Sequence, residues 1–145
     1  MASLLDDLSY VMRKRIIDAE IVAQEEFQSE GKVAPSVPCY VRETAMILDN
    51  TVDLQNAELV QCLCQYDVFA SRTDFPSVVS KIRTIAEQIS GLFNVMIPAN
   101  VSVALANHPD FFANVARPPK TEAVKQEGEI FSISVLIYVN IVKRY

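Results

Sequence analysis

Residues 129–145 read EIFSISVLIYVNIVKRY, and every odd position from Phe131 to Ile141 is apolar: Phe131, Ile133, Val135, Ile137, Val139 and Ile141. An extended chain sends successive side chains to opposite faces. Apolarity at period two over this length therefore predicts a long β-strand with one face in a core. The intervening Ser132, Ser134 and Asn140 make the other face mixed. They also break the apolar run from Ile130 to Val142 well short of the ~18 residues of a membrane span.

Upstream, Asn56 to Ala70 carries the same signal. Val60, Cys62, Cys64, Tyr66 and Val68 share one face, and Gln61, Gln65 and Asp67 lie on the other with Leu59, Leu63 and Phe69 interleaved. One core face and one mixed face suit an antiparallel sheet covered on one side. Cys39 to Leu48, entered through Pro35 and Pro38, is rich in β-branched and aromatic residues and predicts a further strand, with Asp49-Asn50-Thr51 as a turn or loop after it. Two helices are expected. Ser3 to about Gln28 places Leu4, Leu8, Val11, Met12, Ile16, Ala19, Val22 and Phe27 at three- and four-residue steps, and Gly31 ends it. Phe75 to Ser90 follows Asp74 as N-cap, holds Pro76 in its first turn and closes at Gly91. Its stripe is Val78, Val79, Ile82, Ile85, Ala86, Ile89 and Leu92. Val95 to Ile97 and Val101 to Ala106 read as short strand pieces, His108 to Phe112 as one helical turn, and Arg117 to Glu127 as a polar loop. The expected fold is a single α+β domain over 1–145. Its mainly antiparallel sheet has two helices packed on one face, in the order α-β-β-α-β-β, with residues 107–127 as an interaction loop.

Composition narrows the function. The net charge of −5 gives no basic footprint for nucleic acid. Acids in Met-Ala-Ser-Leu-Leu-Asp-Asp stand where a secretory leader is positive, so no leader is expected. Cys39, Cys62 and Cys64 are odd in number and form no CxxC. That argues for a reducing setting and against disulfides or a zinc knuckle. Cys62 and Cys64 sit about 7 Å apart along one strand face, as core thiols would. The three glycines are too far apart for a phosphate loop. The one histidine, His108, has Asp110 nearby but no nucleophile to activate. Asp6-Asp7 and Glu25-Glu26 diverge on a helix and read as solvated surface. Arg13-Lys14-Arg15 reads either as a grip for a phosphate or acidic partner, or as a solvated face with intrahelical pairs. The expectation is a protein that is not an enzyme, with no cofactor, no metal and no membrane partner.

Assembly is the remaining reading. The two best-patterned strands are long against the usual five or six residues, and long edges favour association. Leu59, Leu63 and Phe69 lie opposite the core face, and Phe111-Phe112 adds an apolar patch. Either these cover one another within one chain or they meet a neighbour. With His108, Asp110, Arg117 and Lys120 in the adjoining loop, they are the candidate interface residues.

Four stretches also carry a family resemblance. They are the helix from Ser3, the strand entered through Ala34-Pro35-Ser36-Val37-Pro38, the strand from Asn56-Ala57-Glu58-Leu59-Val60 through Tyr66-Asp67-Val68-Phe69 into the helix at Asp74, and the terminal Ile137-Tyr138-Val139-Asn140-Ile141. In element order and character the chain resembles the tail-terminator, or tail-completion, proteins of tailed bacteriophages. Asn107 to Gln126 has no counterpart in the resemblance, and no signature residue is carried over. The resemblance implies a virion protein assembled in the host cytoplasm. It would form a ring, typically of six subunits, that stops growth of the tail tube and meets a tube or sheath protein on one side and a head-completion or neck protein on the other. DNA would pass through the channel without specific binding, and acidic walls would let it slide. Two alternatives stand beside it: another head–tail connector or neck protein, and a small-molecule-binding regulatory domain with a concave apolar pocket.

Overall fold

A computed structural model describes residues 4–22, 26–28, 38–54, 57–94, 102–103, 105 and 107–144. The element order is α1 (Leu4–Asp18), β1 (Phe27–Gln28), β2 (Cys39–Leu54), β3 (Ala57–Ser71), α2 (Val78–Leu92), β4 (Ser102–Val103), β5 (Phe111–Val115), β6 (Lys120–Thr121), β7 (Lys125–Glu127) and β8 (Ile130–Arg144). The larger elements α1, β2, β3, α2, β5 and β8 follow the expected α-β-β-α-β-β order, and the fold is α+β.

β8 is the spine of one sheet whose path is β1-β2-β3-β8-β5-β4. One of its edges pairs with β3 without interruption, from Ala57 opposite Arg144 to Ser71 opposite Ile130. Its other edge is divided among β5 at Val139–Lys143, β6 at Val135–Leu136 and β7 at Ile130–Ser132. All these pairings are antiparallel, and β1 alone runs parallel to its neighbour. Gly128 makes the β7–β8 turn at φ +62°, a backbone angle that favours glycine.

The period-two pattern does what it predicts. Phe131, Ile133, Val135, Ile137, Val139 and Ile141 are buried with Cys62, Cys64, Tyr66 and Val68 of β3. The helices supply the other side of this core: Ile82, Ile85, Ala86 and Ile89 of α2, and Leu8, Met12 and Ile16 of α1.

Several boundaries differ from expectation. α1 stops at Asp18, and Glu20 takes φ +60°, which turns the chain out of the helix. Val22 and Phe27 are buried all the same, Phe27 from β1. Their helical spacing reflected burial rather than helix. Asp49-Asn50-Thr51 is no turn. β2 runs on to Leu54, and irregularities between Glu43 and Ala45 and between Leu48 and Asn50 absorb the extra residues. α2 is capped at Ser77 rather than Asp74 and runs past Gly91 to Leu92. Residues 117–127 hold β6 and β7 in place of a loop. Gly31 and the piece Val95 to Ile97 lie outside the described residues.

Tyr66 is fully buried, its ring centroid 5.9 Å from that of Phe27. Its hydroxyl has no hydrogen-bond partner among the described residues. Burial, with Cys64 and Glu43 nearby, pushes the phenol well above its usual range. An unsatisfied buried hydroxyl stabilises nothing. Tyr66→Phe is therefore expected to leave stability unchanged or raise it by up to ~1 kcal/mol, while Ile137→Ala, in the same core, costs ~2–5 kcal/mol. Urea denaturation of the two variants checks the contrast, and a costly Tyr66→Phe would show that the hydroxyl has a partner.

Candidate assembly surface

Among the described residues, the helices leave one sheet face without a helical cover. On it β2 contributes Tyr40, Arg42 and Thr44, and β3 contributes Leu63, Gln65, Asp67 and Phe69, all half-buried. Tyr40 and Phe69 are cross-strand partners and stack at 5.0 Å with planes 16° apart. The Arg42 guanidinium carbon lies 5.7 Å from the Tyr40 ring centroid and 5.5 Å from that of Phe69. Asp67 is opposite Arg42 in register, but its carboxylate accepts from the Thr44 hydroxyl at 2.6 Å and from Gln65 Nε2 at 3.1 Å. The Arg42 Nε is buried with no hydrogen-bond partner among the described residues. The surface is thus aromatic and polar in patches, with a cation close to two stacked rings.

The nine candidate residues do not form one cluster. Leu63 and Phe69 lie on this open face, while Leu59 is placed by register alone, opposite Val52 and Val142. Phe111 and Phe112 are not a loop pair. They are consecutive in β5, opposite Lys143 and Val142, so they face opposite ways. Phe111 packs on the core, and Phe112 falls on the open-face parity with Asn114. Arg117 is exposed, with its guanidinium carbon 3.7 Å from the Tyr138 ring centroid. It helps line a recess of about 200 Å³ with Gln61, Tyr138 and Asn140. Lys120 is exposed in β6 opposite Leu136, and Asp110 is exposed in the turn before β5.

His108 has a definite intramolecular role. Its Nδ1 lies 2.7 Å from Asp7 Oδ2, and the same oxygen accepts from the Asn107 backbone N–H at 2.8 Å. Asp7 is buried, contrary to its reading as solvated surface. It ties the first turn of α1 to the approach to β5, and the His108 ring meets Phe111 edge-on at 6.1 Å. A second buried acid, Glu43, accepts the Ser9 hydroxyl at 2.8 and 2.7 Å, tying α1 to β2. A signal for both was present. Asp7 is three residues from Leu4 and four from Val11, on the apolar stripe, and Glu43 shares the parity of Cys39 and Val41.

The basic trio is divided three ways. Lys14 pairs with Asp18 at 2.8 Å on the exposed face. Arg15 lies over Phe93 at 5.2 Å, and burial lowers its pKa. Arg13 is half-buried and bears electrostatically on Tyr66. Arg15 thus serves the fold, and Lys14 is engaged with Asp18.

The three thiols are buried and none is in a disulfide. Burial pushes Cys62 up to about 11 and Cys64 well above its ordinary range. Burial also raises Cys39, partly offset by Lys81. Among the described residues no group of three or more His, Cys, Asp or Glu side chains could hold a metal. No helix among them is long and apolar enough to cross a membrane. A surface hollow of about 500 Å³ is an open groove along a single stretch from Phe75 to Thr84.

No family model matches the chain, and no curated protein matches its sequence. Fourteen solved chains match its structure. One, which bears no descriptive name, has a TM-score of 0.63 at 12% identity over 97% of this chain and 96% of its own. Another belongs to the virion of the native gene transfer agent (GTA) particle, with a TM-score of 0.57 at 8% identity over 93% of this chain and 94% of its own. At these identities the likeness is one of fold.

Two outcomes follow from this geometry. Asp7→Ala is expected to cost ~1.5–3 kcal/mol, because it strips a charged acceptor from two donors. Urea denaturation measures this, and a change within ~0.5 kcal/mol would show the tie to be idle. The nucleophile in thiol alkylation is the thiolate. With Cys62 held as a thiol until about pH 11, folded protein at pH 8 should resist iodoacetamide, and denatured protein should take three adducts by mass spectrometry.

Proposed function

We propose that this chain is a structural protein of a phage-like virion. In this reading its subunits form a ring that terminates a tail tube and joins it to the head or neck. The observation that carries the proposal is the likeness to a chain from the GTA virion, which extends over nearly the whole of both chains. The resemblance of element order to tail-terminator proteins, read from the residues alone, points the same way.

The site geometry supports assembly over chemistry. His108 is engaged with Asp7, the thiols are buried, and the two buried acids secure α1. The exposed features are broad instead: an open sheet face with stacked aromatic rings, and a long β2. In the proposed role the protein works by shape and edge complementarity toward copies of itself, a tube or sheath protein and a neck protein, and DNA passes through without being held. The net charge of −5 suits that passage, since like charges repel.

Size-exclusion chromatography with light scattering, followed by negative-stain microscopy, tests this reading. The expected result is a concentration-dependent species of about six chains seen as rings. A monomer up to millimolar concentration, with no rings in the presence of tail tubes either, would overturn it.

A further inference from the structure

We propose that the recess beside Arg117 and Tyr138 is a binding site for a carboxylate on a short aliphatic stem, the group that an Asp or Glu side chain or a free dicarboxylate presents. The outer edge of β8 is paired with β5 as far as Val139 and with β6 from Leu136. Between them the Ala116 N–H donates to the Tyr138 carbonyl at 2.7 Å, and the chain then runs Arg117-Pro118-Pro119 before β6 begins. Neither proline has an N–H to offer β8, and Pro118 holds the residue before it in an extended conformation. The recess of about 200 Å³ lies at this departure.

Its polar groups come from both sides of the β3–β8 ladder and from the departing chain. Gln61 of β3 and Asn140 of β8 are cross-strand partners that both line it, and Tyr138 is two residues from Asn140 on the same face. The Arg117 guanidinium carbon stands over the Tyr138 ring, 3.7 Å from its centroid, while Arg117 as a whole is exposed. Among the described residues no carboxylate lies within ion-pair distance of Arg117, whereas Lys14 and His108 each have one. An arginine free in solvent gives up rotamer freedom when it closes on an anion. Here the ring contact and the proline-restricted backbone have already placed the cation.

The ligand class follows from donors, size and charge. A guanidinium offers a fork of N–H donors that matches a carboxylate. Gln61 and Asn140 bring neutral amide donors to the same recess. Pockets that enclose drug-sized ligands measure about 300–1,000 Å³, so this smaller recess takes a group of only a few heavy atoms. One guanidinium matches one negative charge. A phosphate dianion would bring a second, unmatched charge into the field of a chain whose net charge is −5.

NMR titration of the isotope-labelled full chain with glutarate at constant ionic strength tests the proposal, read on the Arg117 Nε–H and on the side-chain amides of Gln61 and Asn140. These signals should move together along one saturable curve in the low-millimolar range. The neutral diamide glutaramide should leave them in place, and phosphate should bind roughly tenfold more weakly. Arg117→Gln should weaken glutarate by roughly tenfold or more, with Arg117→Lys, which keeps the charge and loses the fork, in between. A blocked Gly-Glu-Gly peptide run in parallel separates the sources: tighter binding than glutarate marks a protein side chain as the natural ligand, and weaker binding marks a free dicarboxylate. Shifts that fail to saturate, an equal response to glutaramide, phosphate binding as tight as glutarate, or wild-type affinity in Arg117→Gln would each overturn the site. The comparison of glutarate with glutaramide needs no variant, so it decides the matter even if Arg117→Gln fails to fold. None of these readouts depends on assembly, and the ring reading stands or falls separately.

Discussion

The ladder between β3 and β8 is the interaction on which the rest depends. Both strands are fifteen residues long and pair end to end with no shift of register. A slip of one residue would carry Ile133, Val135, Ile137 and Val139 from the core to the open face. The core under α1 and α2 therefore exists only in this register. β2 tolerates two irregularities because it lies one strand further out, and β5 to β7 tolerate being short because β8 is already fixed by β3.

The two buried acids complete that scheme from the helical side. Burying a carboxylate is costly unless its oxygens are hydrogen-bonded. Asp7 meets the condition with the Asn107 amide and His108, and Glu43 meets it with Ser9. Each bond joins residues far apart in sequence, so each fixes α1 at one point where apolar packing alone would permit sliding. The lone histidine, the natural first suspect for chemistry, is part of this fastening.

Legibility in the sequence followed the strength of the local pattern. β8, β3 and α2 were readable because period two and period 3.6 hold along them with few exceptions. The end of α1 was not, because Val22 and Phe27 kept a helical spacing while being buried by other means. β6 and β7 were not, because two- and three-residue strands carry no pattern of their own and form only where β8 offers an edge. The same holds for the candidate surface. Leu63 and Phe69 fell on the open face as their alternation required. Phe111 and Phe112 were read as one patch, and recruitment into β5 turned them to opposite faces. The stacking of Tyr40, Phe69 and Arg42 needs a cross-strand register that one strand alone does not specify.

One consequence attaches to the way the outer edge of β8 is filled. β5, β6 and β7 each hold a separate length of it and are joined by the short links 116–119 and 122–124. Ala116 and Glu122 donate to the β8 carbonyls of Tyr138 and Ser134, and Val124 packs on the core, so length can change at 117–119 and 123 without moving β8 against β3. That margin of the sheet is tiled rather than woven. It can be remodelled to meet a different neighbour while the spine and its helices keep their places.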